Sequence, residues 1–198
     1  MQSNNREFPC YLAVGFPLGA EIVPNRNEKR AGVRIGGKYI SLDYTVFSLW
    51  GQALTPVTDD DIIRWYQKED IENAWELVDW LQQRRLLVKL TGNTQKDAKT
   101  MENFKVFSLG IGLGNSVDEP DKFVIATPTG DPLVAVDFVS YAVWSFCDGT
   151  VTLSEACLMA ADHLKIPLEE VTARAIKLLP ILMKYRAIYL DDGGDPQP

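Results

Sequence analysis

The residues able to do chemistry are sparse in this chain, and their spacing limits what they could do. His163 is the only histidine. It has no triad partner at a motif spacing, and Cys157, six residues away in the same predicted helix, falls on a different side. It reads as a surface residue near a helix end. The run Asp59-Asp60-Asp61 is dense in carboxylate, yet no spaced carboxylates or glycine complete a calcium loop. Charge at the positive end of a helix explains it better. Gly110-Ile111-Gly112-Leu113-Gly114 has the glycines of a phosphate cradle, but a cradle needs a helix start directly after it. Asn115 to Lys122 is acidic and turn-like instead, so the glycines predict a strand and a turn. Cys10, Cys147 and Cys157 are an odd number at no metal-ligand spacing, which suggests neither a disulfide framework nor a zinc site. No nucleophile elbow or paired-carboxylate motif is present, and the expectation is a protein without catalytic, metal or cofactor residues.

Charge narrows the partners. The 198 residues carry a net charge of −7, and 46% of them are hydrophobic, which is ordinary for a folded globular chain. Met1 to Thr100 holds 13 basic and 13 acidic residues, whereas Met101 to Pro198 holds 7 basic and 14 acidic. An acidic balance argues against general nucleic-acid binding, which depends on Lys and Arg neutralising phosphates. The apolar stretch Pro9 to Ala20 is broken by Pro9, Gly15, Pro17 and Gly19, unlike a signal peptide. No stretch approaches the roughly 20 apolar residues of a membrane span. With the cysteines unpaired, the expected setting is a reducing cytoplasm.

The elements that must position any site are organised as an internal repeat. Ile40 to Thr58, ISLDYTVFSLWGQALTPVT, aligns without gaps on Val134 to Thr152, VAVDFVSYAVWSFCDGTVT. Asp43 meets Asp137, Trp50 meets Trp144, and Val57-Thr58 meets Val151-Thr152. Val14 to Gly19 falls on Leu109 to Gly114 after a one-residue change of offset. The expected organisation is one unit over residues 1–91, a polar linker over 92–104, a second unit over 105–191 and a loose tail over 192–198.

In the first unit, Gly36-Gly37 between Val33–Ile35 and Lys38–Leu42 predicts a two-residue hairpin. Asp43 is placed to start a helix over Tyr44–Ala53, and Thr58 with Asp61 forms a capping box for a second, to about Lys68. Asp70 is the expected cap of a third helix, with Ile71, Ala74, Trp75, Val78 and Leu81 as its apolar stripe. Leu86–Leu90 closes the unit as a strand. The second unit predicts strands near Val106–Ile111, Phe123–Ala126 and Leu133–Val136, then a helix from Asp137 to about Cys147. Thr152 and Glu155 box the next helix, Pro167 opens the last, Pro180 should bend or end it, and Ala187–Leu190 is a closing strand. The fold class expected is α+β: two tandem winged-helix-like repeats, each with N-terminal strands, three helices and a closing strand.

Val143 to Leu164, VWSFCDGTVTLSEACLMAADHL, resembles the PqqD-like domains, small winged-helix units that recognise precursor peptides in peptide-modification pathways. The shared pattern is an apolar helix, Asp148-Gly149 before Thr150-Val151-Thr152, Glu155 in an amphipathic helix, then a long helix and a short strand. The first unit departs from it, with Gln52-Ala53-Leu54-Thr55-Pro56 at the corresponding place. The resemblance implies that a peptide adds a strand to an exposed sheet edge and lies against the third helix. The groove residues so implied are Lys38, Tyr39 and Ile40 in the first unit, and Leu133, Val134, Ala135, Arg174 and Lys177 in the second.

The function expected is therefore a non-enzymatic peptide- or protein-binding adaptor. The alternative is a winged-helix DNA-binding regulator, whose third helix would enter the major groove. Glu72, Asn73, Glu76, Asp79 and Gln83 on the outward side of that helix in the first unit would repel phosphates. Aromatic rows Tyr44, Phe47, Trp50 and Phe138, Tyr141, Trp144 predict core packing. The flanking sets Val46, Leu49, Ala53 and Val139, Val143, Phe146 make both first helices apolar on a second face. That surface is expected to meet the other unit or a second chain in a homodimer.

Overall fold

The computed structural model describes residues 8–22 and 29–193. Among them are seven helices and eleven strands in four small antiparallel sheets, a mixed α+β architecture. The first half runs β1 (Cys10–Ala13), β2 (Phe16–Ile22), β3 (Lys29–Ile35), β4 (Lys38–Asp43), α1 (Tyr44–Gln52), α2 (Asp59–Glu69), α3 (Ala74–Gln83) and β5 (Leu87–Leu90). A connecting helix α4 (Thr94–Met101) leads to the second half. There follow β6 (Phe104–Ser108), β7 (Ile111–Asn115), β8 (Lys122–Ala126), β9 (Pro132–Asp137), α5 (Phe138–Phe146), β10 (Asp148–Thr152), α6 (Leu153–Leu164), α7 (Leu168–Lys184) and β11 (Ile188–Asp192).

Short-range chemistry starts these elements where the sequence puts it. Gly36 and Gly37 take φ of 52° and 82°, the left-handed region that a tight β3–β4 hairpin needs. The Asp43 carboxylate accepts from the Thr45 N–H at 2.8 Å to open α1, and Asp137 accepts from the Ser140 N–H at 3.1 Å to open α5. Both capping boxes form. The Thr58 N–H donates to Asp61 at 2.8 Å, and the Thr152 N–H donates to Glu155 at 2.7 Å.

Two of the sheets share a register. Tyr11 pairs with Lys89 across β1–β5, and Val106 pairs with Leu190 across β6–β11. Val57 bridges to Tyr11 on the free side of β1, where the full strand β10 lies beside β6. The other two sheets are the three-stranded β2-β3-β4 and β7-β8-β9. A single apolar cluster runs through both halves, from Leu12, Trp50 and Leu81 to Ile125, Ile176 and Leu190.

The halves meet through strands and through α7 packed on β1, rather than through the apolar first helices. Val14 bridges to Leu190 in parallel, and the Gly15 N–H donates to the Leu190 carbonyl at 2.7 Å. The Gly36 N–H donates to Asp191 at 2.7 Å, Arg34 to the Tyr189 hydroxyl at 3.1 Å, and Arg85 pairs with Asp192 at 2.8 Å. Asp192, expected to begin a loose tail, belongs with Asp191 to β11, and residues 194–198 of that expected tail lie outside the described residues. Helix α1 packs on β3 and β4, and α5 on β8, β9, α6 and α7.

Other expectations need correction. The polar stretch read as a solvated linker is the helix α4, in which Asp97 and Met101 are fully buried. Its burial is stabilised by Asp97 accepting from the Thr91 N–H, the Thr91 hydroxyl and the Gly92 N–H at 2.8–2.9 Å. Asp70 ends α2 in a left-handed conformation, φ 53°, and Asn73 starts α3. Trp75, expected in the core, is 42% exposed, and Tyr44 and Phe138 lie about half exposed at the starts of α1 and α5. Pro180 sits inside α7 without ending it, because Leu178, Leu179, Leu182 and Met183 around it are all buried. Burial of four large side chains at about 2 kcal/mol each outweighs the ~3 kcal/mol that an interior proline costs. The strand expected over Val106–Ile111 divides into β6 and β7, and Asp148–Thr152, where no strand is expected, is β10.

Candidate functional site

The residues implied for peptide binding lie on two edge strands and one helix. β4 and β9 each hydrogen-bond to one neighbour, β3 and β8, and neither has a second strand partner among the described residues. Edge strands of this kind present alternate N–H and C=O groups outward. Pro132, lacking an N–H, is tolerated at the start of β9 for the same reason.

On β4, Lys38 and Tyr39 are exposed and Ile40 half-buried. Tyr39 folds back over Gly32, where a Cβ would come within 2.5 Å of the ring, so the close approach requires glycine. Helix α3 packs on α2 and β5, and its exposed side chains include Glu76 and Asp79. Lys38, Tyr39 and Ile40 thus share a strand edge, with an acidic helix elsewhere in that half.

On β9, Leu133, Val134 and Ala135 are half-buried and Val136 is buried. Helix α7 reaches the end of this strand through Arg174, which donates to Asp137 at 3.2 Å and to Glu170 at 2.8 Å. Burial works to raise the Asp137 pKa, but bonds from the Ser140 N–H and hydroxyl, with the Arg174 guanidinium, hold it below the ordinary carboxylate value. Lys177 is exposed one turn further along α7 and makes no ion pair among the described residues. The structure thus joins Arg174 to β9 and sets Lys177 on the adjoining strip of the helix.

That strip extends beyond the two residues the sequence singled out. Glu170, Arg174, Lys177, Ile181 and Lys184 recur at three- and four-residue intervals, and all but the half-buried Ile181 are exposed. The helical spacing was the available signal for Lys184.

A second polar cluster went unread because its members come from three separated segments. The Tyr11 hydroxyl donates to Asp59 at 2.8 Å, and Lys89 Nζ donates to the Tyr11 hydroxyl at 2.8 Å and to Asp59 at 3.2 Å. Burial pulls the Lys89 pKa down, but the bonds to Tyr11 and Asp59 carry it above the ordinary lysine value. A charged lysine held this way is a structural tie and a poor general base.

Elsewhere, a groove of about 360 Å³ opens between α4, α6 and α7, lined by Ala98, Leu153, Cys157, Leu168 and Ile176 among others. Burial pushes the Cys157 thiol up to about 11 and the Cys147 thiol up to about 12, so neither is a nucleophile at neutral pH. His163 is exposed and meets the Phe146 ring edge at 6.3 Å. Among the described residues no three His, Cys, Asp or Glu side chains are grouped to hold a metal ion, and no helix is long and apolar enough to cross a membrane.

Comparisons with protein-family models, with curated proteins and with solved structures return no match.

Proposed function

We propose that the protein is a non-enzymatic adaptor that binds a peptide or an extended segment of a protein partner by strand addition to β9, beside α7. The observation that carries this reading is the edge of β9, which has no second strand among the described residues and is flanked by Arg174 at its Asp137 end. Strand addition suits such an edge because its outward N–H and C=O groups can pair with those of an extended chain. Two further features support it. The order of strands, helices and closing strand in residues 104–192 follows that of residues 10–90 with β10 added between the first two helices, as a duplicated winged-helix-like unit would. The exposed Glu76 and Asp79 on α3 disfavour a DNA-reading helix in the first half.

The test uses proline. Neighbouring residues on a strand send their N–H groups to opposite sides, so of Val134 and Ala135 one faces β8 and the other faces outward. Peptides selected by the intact protein from a displayed random library should lose binding to the Pro variant at the outward position, with the circular-dichroism spectrum unchanged. Equal binding by wild type and by both folded variants would overturn the reading. So would tight binding of duplex DNA that weakens steeply with added salt.

A further inference from the structure

The sheets β2-β3-β4 and β7-β8-β9 have four edge strands, and three of these carry residues that discourage one copy of a chain from pairing with another. β2 contains Pro17 and Glu21, β4 begins at Lys38 and ends at Asp43, and β9 begins at Pro132 and ends at Asp137. β7 has neither proline nor charge, and it lies within the uncharged stretch Val106–Val117. A one-residue bulge is common to β2 and β7, at Leu18 and at Leu113, so the bulge does not account for the difference. Among the described residues β7 has β8 as its only strand partner.

The stretch that enters β7, Leu109-Gly110-Ile111-Gly112-Leu113, reads the same in both directions. Its glycines are required by close approach to the protein. A Cβ at Gly110 would run into the Ala126 carbonyl, and one at Gly112 into the Tyr141 hydroxyl. Its large side chains are left to solvent, with Leu109, Ile111 and Leu113 39%, 42% and 48% exposed. A single exposed leucine is ordinary, but three large apolar residues at alternate positions along an open edge form a patch.

We infer that β7 pairs antiparallel with β7 of a second copy of this chain, about a two-fold axis at Ile111. The symmetric pairing sets Ile111 opposite its own counterpart, Leu109 opposite Leu113 and Gly110 opposite Gly112. Apolar residues then meet apolar ones and glycine meets glycine along the whole contact. Parallel pairing would lay the two turns that carry Asp118, Glu119 and Asp121 side by side, whereas antiparallel pairing sends them to opposite ends. The product is one six-stranded sheet with β9 at both outer edges, so the dimer leaves the proposed peptide edges free and presents two of them. One five-residue strand per copy buries less than the ~800 Å² per partner of a standard interface, which places the association in the micromolar range.

Sedimentation velocity of the full chain, from low to several hundred micromolar, tests this. Wild type should show a reversible equilibrium of monomer and dimer. Ile111→Lys sets two like charges face to face and should weaken association at least tenfold, whereas Leu18→Lys, at the matching bulge of β2, should leave it unchanged. Ile111→Lys and Ile111→Glu, each monomeric alone, should dimerise when mixed. A wild type that stays monomeric would overturn the inference, as would a dimer weakened equally by Leu18→Lys or a mixture that fails to associate. A monomeric wild type whose library-selected peptides are lost on Ile111→Lys would give the edge to a partner's strand, and overturn it too. Ile111 is exposed, so the variants should keep the fold, which a thermal melt checks; a misfolded one would be replaced by Ile111→Thr, with weaker association again required. Because β9 is the opposite edge of the sheet, failure to dimerise leaves the peptide-binding reading standing.

Discussion

The sheets β1–β5 and β6–β11 have one register, and at one equivalent position in it their chemistry is opposite. Tyr11 opposite Lys89, with Asp59 beside them, forms a hydrogen-bonded polar tie in the first half. Val106 opposite Leu190 is wholly apolar and buried in the second, and Leu153 at the start of α6 is buried too. The difference lies in what covers each sheet. Helix α4 packs against α6 and α7 and shares with Leu153 the lining of one groove, so that region of the second half can be apolar. In the first half Lys89 and Asp59 keep partial exposure of 32% and 41%, and polar side chains meet water there without penalty. The helices follow suit: α5, α6 and α7 pack closely on one another, whereas among α1, α2 and α3 the main contact is a slight one between α2 and α3. One order of elements thus supports a compact second half and a more open first half, and burial of the covering helix sets which is which.

The strongest way to break this contrast is to remove the anchor of α4. Asp97 is fully buried and satisfies three donors at the β5–α4 turn. Asp97→Ala leaves those donors without a partner and should cost about 3 kcal/mol, read from urea unfolding, with α4 showing the earliest hydrogen exchange. Asp97→Asn, which keeps one acceptor oxygen, should cost less. An equal, small loss in both would show that α4 does not depend on the buried carboxylate.

A second comparison uses the paired tryptophans. Trp50 donates through Nε1 to the Val14 carbonyl at 3.0 Å, while the buried Nε1 of Trp144 has no hydrogen-bond partner among the described residues. Trp50→Phe loses both ring area and a buried hydrogen bond, so about 2–3 kcal/mol is expected. Trp144→Phe loses similar area but also an unsatisfied donor, and should cost about 1–2 kcal/mol. The order of the two unfolding midpoints is the check, and the reverse order would mean that ring packing outweighs the bond. Smaller again is Tyr11→Phe, about 1 kcal/mol, because Lys89 and Asp59 still contact each other when the hydroxyl is gone.

What the sequence made legible was local. The Thr58–Asp61 and Thr152–Glu155 boxes, the caps Asp43 and Asp137, and the Gly36-Gly37 turn are set by residues within a few positions of one another, and each forms. What it hid depends on tertiary contact. Asp97 looks like a solvated charge until Thr91 and Gly92 fold over it, and Pro180 looks like a helix breaker until its apolar neighbours are buried. The candidate site divides the same way. Leu133–Ala135 as a strand and Arg174 with Lys177 on a helix are pattern, but the Arg174–Asp137 contact joins residues 37 apart and has no local signature. Lys184 had one, in the three- and four-residue spacing of the α7 strip, and the Tyr11–Asp59–Lys89 tie, drawn from three elements, had none.

The smallest expected effect compares the two capping boxes across pH. Bonds from the Thr58 hydroxyl and N–H hold the Asp61 carboxyl below its ordinary value, with Arg64 adding to them. The Thr152 N–H and hydroxyl do the same for Glu155. A carboxylate whose folded pKa is depressed stabilises the fold above its unfolded pKa, about 3.9 for Asp and 4.3 for Glu, and that contribution is lost as pH falls through the folded value. Thr58→Ala and Thr152→Ala should therefore lower the urea midpoint at pH 7 by more than at acid pH, where the carboxylates are protonated in wild type as well. Arg64 both hydrogen-bonds to Asp61 and acts on it through its charge, whereas Lys105 acts on Glu155 through its charge alone, so the pH-dependent part should persist to lower pH at Thr58. Losses that stay constant through the acid range would assign the stabilisation to the threonine hydroxyls accepting from the Asp61 and Glu155 N–H groups, and none of it to the carboxylates.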